Sequence, residues 1–245
     1  MIIQSQKPAT KKHVTRRGTI SYQIDNPAFP DGHWGREIFI MTRHENGERV
    51  LRAYCELGDA PSLIRDVFQR VDKDFHPMDA AVRLTEDDAF KGTGWYHFTD
   101  TAAELQGYNV GNGRISAQDA IDRSIRGFAN HSLMGDGWLV ARFDRSQGPR
   151  QHTFYNSPLT STDHRGATGP LLERSTSATF EYFGEDSVTV PAGTFECHHF
   201  ALLGTATNHP PYRMWVTADG DFSFVKGTVE APYHWLFELE DLVVD

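Results

Sequence analysis

The stretch Val188-Thr-Val-Pro-Ala-Gly-Thr-Phe-Glu-Cys-His-His-Phe-Ala-Leu-Leu203 decides the fold. Proline presets φ and glycine supplies the backbone conformation of a tight turn, so Val188–Val190 and Phe195–Leu203 are expected as antiparallel neighbours. In the second arm Phe195, Cys197, His199, Ala201 and Leu203 share one face, and Glu196, His198, Phe200 and Leu202 the other. Neither face is purely polar, as befits a strand lying between a core and a second layer, a ligand cavity or a partner. Alternation also sets the adjacent His198 and His199 on opposite sides, with His199 the expected cavity residue.

Strand signals continue on both sides of this hairpin. Downstream lie Tyr212–Val216, Phe222–Thr228 and Tyr233–Leu239; upstream lie Trp138–Phe143, Gln151–Asn156, Leu171–Phe183 and Ser187–Val190, all separated by Gly, Pro, Asp and Asn. Nearer the N-terminus, Glu45-Asn46-Gly47 joins strands at Arg36–His44 and Glu48–Leu57, since Asn-Gly tolerates the positive φ of a hairpin turn. Further strands are expected at Thr19–Ile24, Ala80–Leu84 and Gly92–Thr99. A helix is expected at Ala60–Val71, with Pro61 early and Leu63, Ile64, Val67, Phe68 and Val71 at helical spacing. Ser116–Arg126 reads equally as helix or strand, and the glycines of Gly107–Gly113 read as a loop. The pattern is mainly β: a single curved antiparallel barrel or half-barrel with one or two short helices, covering residues 18–245 behind a disordered tail at 1–17.

From about residue 130 to 240 the chain resembles the bacterial family known as domain of unknown function 3108. The resemblance rests on the Val-x-Val-Pro-Ala-Gly-Thr-Phe-x-Cys hairpin, the aromatic strand Tyr212-Arg-Met-Trp215 and Phe222–Lys226. It implies a strongly curved antiparallel sheet similar to the half-barrels that carry lipids and lipoproteins.

Composition narrows the function. The 245 residues carry 24 Lys and Arg against 33 Asp and Glu, a formal charge of −9. That balance argues against a nucleic-acid or anionic-membrane partner. No apolar run is long enough to span a bilayer, and no apolar leader follows the N-terminal charges, so a cytoplasmic protein without membrane insertion is expected. Cys55 and Cys197 stand far apart and read as buried thiols. The histidines show neither HxH on a strand nor HxxxH on a helix, so no metal site is expected. No nucleophile elbow or phosphate cradle is present, which leaves no nucleotide or other cofactor to expect.

Ionisable groups among aromatics remain, the form of a cofactor-free acid/base pocket. The candidate catalytic residues are His131, Tyr155, Arg126, Arg142 and Arg213: histidine or tyrosine to move a proton, arginine to stabilise developing anionic charge. Candidates for substrate binding are Trp95, Tyr96, His97, Trp138, His199, Tyr212, Trp215 and Lys226. Together they suggest a lyase or isomerase acting on a hydrophobic, aromatic small molecule, for example by eliminating water or formaldehyde. The alternative is a non-catalytic protein binding an apolar ligand or lipid, and a third reading makes the aromatics the interface of a homo-oligomer.

Overall fold

The computed structural model describes residues 12–122, 127–154, 157–175, 177–205 and 210–245. Its first half is a meander of eight strands: β1 (Val14–Ile24), β2 (His33–Arg43), β3 (Arg49–Leu57), β4 (Leu63–Val71), β5 (Pro77–Glu86), β6 (Ala89–Phe98), β7 (Ala102–Asn109) and β8 (Gly113–Ala120). After these come helix α1 (Leu133–Val140), then β9 (Arg150–Phe154), β10 (Ser157–Leu159) and β11 (Glu173–Ser175). The chain ends in β12 (Ala178–Val190), β13 (Gly193–Thr205), β14 (Tyr212–Thr217), β15 (Phe224–Val229) and β16 (Trp235–Val244).

Fourteen strands form one antiparallel sheet in the order β8-β7-β6-β5-β4-β3-β2-β1-β16-β15-β14-β13-β12-β9. The two ends of the chain meet in its middle, where β1 pairs with β16. Strands β8 and β9 are its edges and do not pair with each other, so the sheet is a half-barrel rather than a closed one. Within its curve lie α1 and the two-stranded β10–β11 ribbon. An Arg174–Asp119 ion pair ties β11 to β8. Among the described residues no helix is long and apolar enough to cross a membrane.

The hairpin read first from the sequence forms as expected, with Val188 opposite Phe195 and Val190 opposite Gly193, whose φ is +136°. The Asn46-Gly47 turn likewise joins β2 and β3, Gly47 having φ +86°. Four local expectations are corrected. Residues 63–71 are a strand, not a helix: Leu63, Arg65, Val67, Gln69 and Val71 are buried in strict alternation. Conversely, Trp138–Val140 belong to α1 and not to a strand. Strand β7 runs to Asn109, well into the expected loop, and β8 makes Gly113–Ala120 extended. Finally, β1 begins at Val14, inside the expected tail.

Helix α1 is buried on nearly all sides, as a helix without a polar face must be. Its N-cap is Ser132, whose Oγ accepts the Gly135 N–H at 3.1 Å. Gly137 abuts the Phe222 carbonyl so closely that a Cβ there would lie 2.2 Å from the oxygen. The helix therefore fills the half-barrel, packed against β3, β14 and β15.

Candidate functional site

Between α1, the inner faces of β12–β16 and the loop after β10 lies a cavity of about 140 Å³. Its walls are apolar: Leu133 and Leu139 from α1, Phe180, Leu202, Met214 and Val229 from the sheet, and Trp34, Trp235 and Phe237 at one end. Trp34 stacks on Trp235 with ring centres 4.8 Å apart, and His164 stacks on the same Trp235 at 5.5 Å. Polar groups at the walls are few: Tyr22, His131, Asp136, Ser157, Ser161, His164, Arg165 and Tyr212.

A second polar group lies deeper. Glu37 on β2 is fully buried, and its carboxylate accepts the Leu133 N–H at 2.6 Å and the Met134 N–H at 3.1 Å. Tyr22 donates its hydroxyl to the same carboxylate at 3.1 Å, and the Cys55 thiol lies 3.4 Å from it. The negative group thus sits where the helix dipole and free N–H groups favour it. Burial nevertheless raises the Glu37 pKa above the ordinary carboxyl value, against the lowering effect of these hydrogen bonds. Burial also pushes the Tyr22 hydroxyl and the Cys55 thiol well up, so both stay protonated donors.

Directly opposite one another across three strands stand Glu37, Cys55 and Arg65. Arg65 is 4% exposed, and among the described residues its one side-chain hydrogen bond is from Nη1 to Thr160 Oγ1 at 3.3 Å. Gln69, also inward on β4, accepts from Asn130 Nδ2, and Asn130 Oδ1 in turn accepts the Ser132 hydroxyl at 2.7 Å. Of these residues the sequence singled out only Cys55, as a buried thiol, which it is. A signal was present for two others, since Glu37 alternates with Phe39 and Met41, and Arg65 with Leu63 and Val67.

The structure brings few of the expected site residues together. His131 and Tyr212 line the cavity. His131 holds φ +63° and its Nε2 lies 3.2 Å from the Ser161 carbonyl. Tyr96 and Trp138 are buried in the interior, Tyr96 donating to the Leu171 carbonyl at 2.7 Å. Arg142 lies in the turn after α1 and is half-buried. Arg126 and Tyr155 fall outside the described residues.

The rest point away from the cavity. Trp95 is 47% exposed, with His97 stacked on it at 5.5 Å. His199 is the outward histidine, stacked 4.2 Å from Trp215, while His198 turns inward to the Tyr182 hydroxyl at 3.2 Å. Arg213 lies over Phe183 on the same outer face, 5.0 Å from its centre. A β-bulge pairs Phe224 with Val216 but Lys226 with Trp215, which inserts Val225 and turns Lys226 outward to Glu238 at 3.1 Å. As for metals, Asp72, Asp74 and His76 could offer three ligand atoms within 4.8 Å of one another. They form the β4–β5 turn, where Asp72 accepts the Asp74 and His76 amides.

The fold and its interior define an open antiparallel β half-barrel around a mostly apolar cavity. The chain is similar to a β-barrel-like protein of domain of unknown function 1849 from Brucella abortus, at 10% identity, a TM-score of 0.57, and coverage of 95% of this chain and 98% of that one. It also matches a presumed exported protein with a YmcC-like fold from Bacteroides fragilis, at 9% identity over 96% and 97% of the two chains, with a TM-score of 0.29. A presumed lipoprotein from Parabacteroides distasonis matches at 9% identity over the same shares, with a TM-score of 0.26. No family model and no curated protein matches, so the particular family that the hairpin resembles is not established. Those two proteins are described as exported and as a lipoprotein; the cytoplasmic expectation is not carried forward.

Proposed function

We propose that this protein is a non-catalytic binding protein that holds an apolar small molecule inside the half-barrel, as the lipid-carrying half-barrels related to domain of unknown function 3108 are thought to do. The observation that carries this reading is the cavity wall, built from Phe180, Leu202, Met214, Trp235 and Phe237 with few polar groups among them. Concave, largely apolar sites with a few polar groups are the usual form of a small-molecule site. Of the expected site residues, Arg213, His97, His199 and Lys226 lie on the outer face and take no part in the cavity. Titration with an apolar naphthalene-type fluorophore tests it: saturable one-to-one binding is expected, and a linear, non-saturating response would end the proposal.

A second reading keeps the lyase or isomerase. It is favoured by His131, Asp136 and Tyr212 lining one cavity, with His131 held at a positive φ uncommon outside glycine. Loss of water from 3-aryl-3-hydroxypropanoates, followed by the conjugated product's absorbance, is its assay. Turnover abolished by His131→Ala would support it, and no turnover by the wild type would dismiss it for this substrate class.

A further inference from the structure

The interior contains a charge that the fold does not explain. Arg65 lies on the inward face of β4 between Leu63 and Val67, where an aliphatic residue would complete the core. Its guanidinium is permanently charged, yet no carboxylate among the described residues comes within ion-pair distance of it, and Asp163 acts on it only from further away. Nη1 reaches the Thr160 hydroxyl, and Nη2 is buried with no hydrogen-bond partner among the described residues. A buried cation left this way is costly unless something completes it.

The loop over it shows what could. Thr160 and Gly166 sit directly on the guanidinium, and a Cβ at Gly166 would lie 2.5 Å from Nη2. From the same loop, Ser161, His164 and Arg165 form part of the cavity wall. A single short segment therefore separates the unpaired cation from the apolar cavity, and Gly166 presents no side chain to Nη2.

We propose that the ligand is an apolar molecule with one terminal carboxylate, and that Arg65 is its headgroup anchor, reached when the loop from Thr160 to Gly166 moves off the guanidinium. This rests on the binding-protein reading above and gives its ligand a chemical class. The tail occupies the cavity beside Phe180 and Met214, and the carboxylate takes the two N–H groups of the fork, a geometry that a planar guanidinium suits better than an ammonium.

The test is calorimetric titration with decanoate and decanol, which share a chain and differ in charge, at a pH where the acid is ionised. On the wild type, decanoate should bind about tenfold or more tightly than decanol, the scale of a hydrogen bond to a charged group. Arg65→Met should bind decanol like the wild type and lose the preference, whereas Arg213→Met, on the outer face, should keep it. Decanol binding as tightly as decanoate, or a preference surviving in Arg65→Met, overturns the anchor and leaves the apolar-ligand reading standing. Binding of neither compound overturns both. Should Arg65→Met not fold, amide hydrogen exchange on the wild type decides: decanoate but not decanol must speed exchange across residues 161–166, and an unchanged loop overturns the proposal.

Discussion

The carboxylate of Glu37 accepts the backbone N–H of Leu133 at 2.6 Å, joining the second strand to the start of a helix that comes almost a hundred residues later in the chain. This contact fixes where α1 enters the half-barrel and so where the cavity wall provided by Leu133 and Leu139 stands. It also leaves Tyr22 and Cys55 dependent on Glu37 as their acceptor. Glu37→Ala should cost about 3 kcal/mol, because buried donors lose their partner and a cavity opens. Urea unfolding measures it, and a loss below about 1 kcal/mol would show that α1 docks without this bond.

The same residue gives stability a pH dependence of defined sign. Its pKa is raised in the folded protein, so the folded state holds the proton more firmly than the unfolded chain does. The contribution is full below the ordinary carboxyl value of 4.5 and is lost as pH rises through the window between that value and the folded one. Relative to Glu37→Gln, the wild type should therefore lose stability as pH climbs from below 4.5 toward neutral. Parallel curves for the two proteins across that window would refute the assignment.

What the sequence revealed was local turn chemistry, and what it hid were inward polar residues. Pro191-Ala-Gly193 and Asn46-Gly47 set their turns through backbone preferences that no distant residue alters. By contrast, Arg65 and Gln69 occupy core-facing positions of β4, and with those two removed from the apolar pattern the remaining Leu63, Ile64, Val67, Phe68 and Val71 fit helical spacing. Helix α1 hid for the opposite reason: enclosed on nearly every side, it has no polar stripe to mark its period. Lys226 was set on the wrong face because one inserted residue at a bulge shifts the alternation, and the insertion carries no sequence mark.

Asp221 should prove the most sensitive acidic residue outside the site. It is buried in the turn between β14 and β15 and receives Arg16 at 3.0 Å, Arg43 at 3.4 Å and Arg49 at 3.1 Å, while Arg49 also covers the Phe75 ring at 4.2 Å. Removing Asp221 leaves the buried Arg49 guanidinium without its carboxylate, although Arg16 keeps Asp219 at 2.6 Å, so Asp221→Ala should cost about 3 kcal/mol. Because the cluster is mostly shielded from solvent, the loss should persist in high salt. A penalty that vanishes on adding salt would mark the cluster as a screened surface feature.

Arg65→Met should behave in the opposite way, raising stability by about 1 kcal/mol or more in the absence of ligand. The substitution forfeits one long bond to Thr160 but removes a buried, unpaired charge, and methionine can adapt to the space between Leu63 and Val67. Thermal unfolding of the two proteins makes the comparison. A strongly destabilised variant would mean that the guanidinium is satisfied in the free protein after all.

Filling the cavity separates ligand binding from folding. Ala178 is 5% exposed and lines the cavity beside Phe180 and Leu202. Ala178→Phe should place a ring in the space the ligand would use, at an overpacking cost of about 1–3 kcal/mol that leaves the protein folded. Binding of the naphthalene-type fluorophore should then fall at least about tenfold, the loss expected when one ring's worth of apolar contact is blocked. An unaltered titration in a folded Ala178→Phe protein would place the fluorophore elsewhere, for instance on the exposed face of Ile38, Ile40 and Trp95, and the cavity would lose its claim as the binding site.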